Sequence, residues 1–181
     1  SVTVFYWSMN IEFPELQLHN MLMGADQKEE YDAIFQDETI AEDPTVYLYV
    51  SCKVNNQDAP NGCENWFAMV TVPHNTGQDW DSLVQKTRVR VQRKLSMALK
   101  TDIANHVLTE ELLDPRIIEQ RTGSAFGSVY GNSSNGKFAA FLRHPNFSSR
   151  IKGLYFCGGS VHPGPSIPLS LLSARIVASL I

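Results

Sequence analysis

Residues 153–168 read GLYFCGGSVHPGPSIP, and their reading decides the fold. Gly153, Leu154, Tyr155, Phe156 and Cys157 begin a short apolar run that predicts a strand, which ends at Gly158, Gly159 and Ser160. A loop punctuated by prolines follows. From Ile167 and Pro168 onward, Leu169, Leu172, Ser173, Ile176, Val177 and Leu180 recur at helical spacing. Strand, glycines and helix in this order have a physical use. The strand delivers backbone to one edge of an α/β sheet. Glycines there carry no Cβ to hold a planar or anionic ligand away, and the helix start offers free N–H groups at the positive end of its dipole. Pro168 suits the first turn, where no intrahelical N–H bond is lost. Ser173 and Ala174 are small enough for close packing. Alone, the pattern serves many ligands.

Upstream, the chain alternates strand-like and loop-like segments. Residues 2–9 and 45–51 alternate as strands, as do 66–72, which Pro73 closes; residues 16–23 predict a further strand. Asp26 is placed to cap a short helix with Tyr31, Ile34 and Phe35 on one face. The clearest helix is capped by Asp79 or Asp81. Trp80, Leu83, Val84, Thr87, Val91, Leu95, Ala98 and Leu99 form its apolar stripe. Its other face carries Lys86, Arg88, Arg90, Arg93 and Lys94, which fits a solvated face better than a site for an anionic partner. Residues 106–113 are expected to be extended, and Asp114-Pro115 to cap and start a short helix ending at Gly123. Residues 124–150 combine Gly, Ser and Asn with Phe126, Tyr130, Phe138, Phe141 and Phe147, a composition that predicts a loop lining something apolar.

Composition excludes several classes. With 15 Lys and Arg against 19 Asp and Glu, the formal charge of −4 leaves no basic excess for nucleic acid. No apolar run reaches the ~20 residues of a spanning helix. Cys52, Cys63 and Cys157 are irregularly spaced, which predicts free thiols in a reducing compartment. No two of the five histidines share a helix face, so no metal site is expected. The chain starts in a strand-like run and stops in an apolar one, so it reads as a piece of a longer protein.

The string from Leu154 to Pro168 resembles the closing flavin-binding motif of the phytoene desaturase family. The resemblance extends upstream in order: Leu18-His19-Asn20 with Leu22, Asp43-Pro44 with Tyr47, Ala59-Pro60-Asn61-Gly62-Cys63-Glu64-Asn65, Val72-Pro73, and Phe141-Leu142-Arg143-His144-Pro145-Asn146. It implies an α+β (α/β) fold. Residues 1–150 would form a substrate-binding domain on a mixed, largely antiparallel sheet with helices. Residues 151–181 would supply the last strand and helix of an FAD-binding, Rossmann-like domain. The Gly-X-Gly-X-X-Gly expected for the FAD pyrophosphate is absent, since the glycines between Gly123 and Gly131 have the wrong spacing.

The implied function is desaturation of a carotenoid-type polyene by hydride transfer to FAD. A related polyene isomerase or saturase, or a non-enzymatic module binding an apolar ligand, stays open. Flavin carries such chemistry while the protein supplies position and an apolar tunnel. The expected cofactor contacts are Gly158, Gly159, Ser160, Ile167, Pro168 and Leu169, chiefly through backbone donors; Pro168 contacts without donating. Phe126, Tyr130, Phe138 and Phe141 are the expected substrate walls. His144 and His162 are weighed as acid or base against a structural role, which is favoured, and Arg143 as an anion contact against a helix-cap or surface role, which is favoured; none is assigned. The resemblance also implies an apolar polyene as partner, a cytoplasmic protein and peripheral membrane association of its full-length form. For this chain alone it implies no FAD, no activity and self-association through exposed apolar surface.

Overall fold

The computed structural model describes residues 1–131 and 143–181. Five strands form one antiparallel sheet in the order β2-β3-β4-β1-β5: β1 (Val2–Met9), β2 (His19–Leu22), β3 (Val46–Tyr49), β4 (Glu64–Thr71) and β5 (Val107–Leu113). Helices α1 (Gln27–Phe35), α2 (Trp80–Leu99), α3 (Pro115–Thr122) and α4 (Ile167–Ala178) complete the fold. The α+β class expected from the sequence is the one observed.

Alternation explains the core. In β1, Thr3, Phe5, Trp7 and Met9 are buried and point to one face, while Tyr6 and Ser8 on the other are exposed. β4 and β5 both run antiparallel to β1, and so parallel to each other. Their connection must cross one face of the sheet, and α2 is that crossover. Its buried residues Trp80, Leu83, Val84, Thr87, Val91 and Leu95 follow helical periodicity, and all but Thr87 join Phe5, Trp7, Leu48, Trp66 and Ala68 in one hydrophobic core. Asp79 caps it by accepting from the Ser82 N–H at 3.1 Å. Asp114, fully buried, does the same for Ile117 in α3.

The basic side of α2 is largely ion-paired within the chain. Arg88 bridges to Glu110 at 2.7 Å, Arg90 and Arg93 to Glu42, and Lys94 to Asp43 at 2.7 Å. The Lys94 ammonium holds the Asp43 carboxyl below its ordinary range. Pairs this exposed each contribute little to stability. Their consequence is that four of the five cations are already partnered by acids of the same molecule.

Some expectations are corrected. The second strand is only His19–Leu22, shorter than residues 16–23, because the neighbour it pairs with, β3, is itself four residues long. In α1 the buried residues are Ala33 and Ile34, while Tyr31 and Phe35 are exposed and lie against each other, tilted, at 4.6 Å. Ala98 lies in the last turn of α2 and faces solvent. Residues 153–160 form no regular strand. Tyr155 makes an isolated bridge to Phe147 and has no parallel neighbour among the described residues. A strand without partners on both sides has no ladder to hold it.

Among the described residues, one buried side-chain group has no partner: the Thr3 hydroxyl, on a residue 1% exposed. Its desolvation is uncompensated. Thr3→Val keeps the shape and removes the orphan hydroxyl. Urea unfolding should show a gain of about 1–2 kcal/mol; a loss of stability would mean the hydroxyl has a partner.

Candidate functional site

Residues 143–181 are organised around one side chain. Asn146 is buried, and its Nδ2 donates toward the Phe156 carbonyl at 3.1 Å, the His162 carbonyl at 2.9 Å and Ser173 Oγ at 2.8 Å. Its own backbone carbonyl accepts from the Phe156 N–H at 2.8 Å. Ser173 is the one buried residue of α4, and its Oγ also accepts from the Gly158 N–H at 3.1 Å. Asn146 and Ser173 thus tie the glycine turn, the loop and the helix together. Ser166 caps α4 by accepting from the Leu169 N–H at 3.3 Å. It does so at φ 134°, a backbone region that side chains rarely occupy and that tends to persist at ligand sites.

The expected cofactor residues divide into two groups. The N–H groups of Gly158 and Leu169 are engaged inside the chain, by Ser173 and Ser166. Gly158 sits at φ +123° with open space where a side chain would project. A Cβ at Gly159 would come within 3.4 Å of the Pro165 α-carbon, ordinary contact, and the Gly159 carbonyl accepts from Arg143 Nη1 at 3.1 Å. Ser160, Ile167 and Pro168 are exposed. The helix start therefore presents Ile167 and Pro168 outward, beside a turn unobstructed at Gly158.

Among the expected substrate walls, Phe126 and Tyr130 are exposed, and Phe138 and Phe141 lie outside the described residues. Phe126 adopts φ 58° and meets His74 edge-on at 5.8 Å. The same Nη1 of Arg143 that reaches Gly159 donates to the Tyr130 carbonyl at 3.0 Å, so it links the aromatic loop to the glycine turn. Between them lies a cavity of about 560 Å³ whose lining includes Phe35, His74, Phe126, Gly131 and Ser160. One expected wall residue and one expected cofactor residue thus meet on one cavity; Gly158, Ile167, Pro168 and Tyr130 do not line it. His144 is exposed, with Nδ1 2.8 Å from the carbonyl of Pro145 and its ring edge-on to Phe156 at 4.9 Å. Its backbone carbonyl accepts from the His162 N–H.

Sequence reasoning gave no role to Asn146, which spacing rules do not mark. It also left out the solvent phase of the sheet, where Tyr6, Tyr47, Tyr49 and Phe67 stand. The signal for it was aromatic residues in the phase of β1, β3 and β4 that a one-sided sheet leaves polar.

The molecule is an α+β module with a glycine turn and helix start beside a cavity. No protein-family model matches the chain. It is 49% identical over its whole length to the 1-hydroxycarotenoid 3,4-desaturase of Flavobacterium sp. (strain P99-3), of which it covers 37%. It is 34% identical to the 4,4'-diapolycopene oxygenase of Methylomonas sp over 91% of the chain and 34% of that protein. It is 27% identical to the phytoene desaturase of Fusarium fujikuroi over 98% of the chain and 35% of that protein. The chain is thus a relative of carotenoid desaturases and oxygenases, and it spans little more than a third of the length of the curated relatives it matches. No helix among the described residues is long and apolar enough to cross a membrane.

Proposed function

We propose that this chain is the C-terminal portion of an FAD-dependent oxidoreductase that desaturates a carotenoid-type polyene. Residues 1–150 would be its substrate-binding domain, and residues 151–181 would belong to its FAD-binding domain. The observation that carries the reading is the end-to-end match, at 49% identity, to a protein named as a hydroxycarotenoid desaturase.

The residues present fit a flavin. A flat ring needs backbone without obstruction, and Gly158 offers open space at its α-carbon, in a turn held to α4 through Ser173. Gly158, Gly159 and Ser160 would line one side of the ring, with Ile167, Pro168 and Leu169 at the helix start. Because the N–H groups of Gly158 and Leu169 are already engaged, these two residues would contribute shape rather than hydrogen bonds. When bound, FAD supplies the hydride acceptor. The chain's own residues hold the glycine turn through Asn146 and Ser173. We assign no proton-transferring group. Peripheral association with a membrane, where such a substrate resides, goes with this reading.

The test compares this chain with the full-length protein. The full-length protein should quench flavin fluorescence saturably, and with an acyclic carotenoid it should produce absorbance bands of longer conjugation. This chain alone should do neither, for want of a pyrophosphate site. Full-length protein that binds no flavin would overturn the proposal; tight flavin binding by the isolated chain would overturn the division of the FAD site.

A further inference from the structure

The sheet has one face covered by α2 and a second face with a row of aromatic side chains, of which Tyr6 is exposed and Tyr49 and Phe67 are half-buried, while Val4 in the same phase is buried. On this second face, strand register sets His19 opposite Tyr49, Tyr49 opposite Phe67, Phe67 opposite Tyr6 and Tyr6 opposite Glu111. One continuous row therefore crosses all five strands. At the usual spacing between strands it is about 19 Å long. The rings touch along it: Tyr6 meets Phe67 edge-on at 5.4 Å, and His19 lies 5.2 Å from Tyr49. Tyr47, from the adjoining row, meets Phe67 edge-on at 6.2 Å. Beside Tyr47 in that row stand Met21 and Met69.

Between His19 at the β2 edge and Glu111 at the β5 edge, no acidic or basic side chain interrupts the row. The polar groups collect at the two ends. At the β2 end His19 Nδ1 lies 2.8 Å from Tyr47 Oη. At the β5 end Glu111 stands near the Thr109–Ser8 hydroxyl pair, itself bonded at 2.8 Å. A depression of about 450 Å³ opens over Tyr6, Tyr49, Asn65, Phe67, Thr109 and Glu111.

We propose that this aromatic row is the surface along which the polyene chain lies, between His19 at the β2 edge and Glu111 with the Thr109–Ser8 pair at the β5 edge. The inference rests on the polyene reading above. Three features select this occupant. The row is long, narrow and uncharged along its middle, which matches a flat conjugated hydrocarbon and not a compact or ionic ligand. Edge-to-face rings present π-surfaces on which a conjugated chain stacks. The relatives are more than twice as long as the region matched, so a protein of their length has chain enough to roof the face and keep water out. Phe126 and the 560 Å³ cavity would then lie nearer the flavin.

The experiment uses the full-length protein and all-trans lycopene in detergent micelles as probe. Oxidative footprinting, read by mass spectrometry, compares Met21, Met69, Tyr6 and Tyr49 with Met97 and Tyr31, which are exposed elsewhere. Lycopene should protect the first set severalfold relative to the second. Phe67→Ala and Tyr49→Ala, with unchanged melting, should each weaken lycopene binding about tenfold. Phe67→Tyr should restore most of the affinity, and Met97→Ala should leave it unchanged. Saturable lycopene binding without protection of the row would place the polyene elsewhere and overturn the inference while leaving the desaturase reading intact. A row already shielded without lycopene would assign the face to the protein's own packing, and also overturn it. No saturable lycopene binding at all would fail both.

Discussion

Glu64→Ala is expected to destabilise the module by about 3–5 kcal/mol, the range for removing one partner of a buried ion pair. The Glu64 side chain is 1% exposed, and three donors converge on it. Oε1 accepts from the Phe13 N–H at 2.9 Å and lies 2.5 Å from Lys53 Nζ; Oε2 accepts from Trp66 Nε1 at 2.7 Å. Alanine would leave the mostly covered Lys53 ammonium with the Phe13 carbonyl as its remaining acceptor, and would orphan the Trp66 indole inside the core. Unfolding in urea measures the loss. Adding Lys53→Met to Glu64→Gln should recover part of it, because the unpaired charge goes with the lysine. A loss below about 1 kcal/mol would show that the contacts of Glu64 with Phe13, Lys53 and Trp66 do not stabilise the module.

The second large effect is expected at Asn146. Asn146→Leu keeps much of the volume and removes the amide that reaches Phe156, His162 and Ser173. Each buried group so abandoned costs about 1–3 kcal/mol. The cost falls on residues 153–175, which no regular strand supports, so local opening should precede global unfolding. Hydrogen exchange followed by mass spectrometry should show faster exchange across the glycine turn and the first turns of α4, with the sheet unchanged. Ser173→Ala should reproduce some of the effect and add less than its own share in the double variant. In the full-length protein, flavin retention should fall with the same variants. Unchanged exchange at Phe156 and Gly158 would contradict the role given to Asn146.

The places where the sequence could be read follow from the physics. β1 and α2 were legible because burial on one side imposes a period, two in the strand and near four in the helix, and the residues obey it. The caps at Asp79 and Asp114 were legible because capping is local. The order of strands was not, since nothing local tells Phe5 that it will face Ala68 or Leu112. Tyr31 and Phe35 misled because an aromatic pair at i, i+4 stacks on itself as readily as on a core. Residues 153–160 misled in another way: a strand-like composition makes a strand only beside a partner. The sequence pattern offered Gly158 and Leu169 as candidate ligand contacts, but no spacing rule shows that Ser173 and Ser166 take their N–H groups. The aromatic row was hidden because it depends on the register of five strands, which no local pattern gives.

The most direct test of desaturation is the mass of the product. The full-length protein with FAD, supplied anaerobically with an excess of an acyclic hydroxylated carotenoid and no other electron acceptor, should yield one product lighter by a pair of hydrogens for each flavin reduced. A product of unchanged mass, or unreduced flavin with no lighter product, would contradict desaturation.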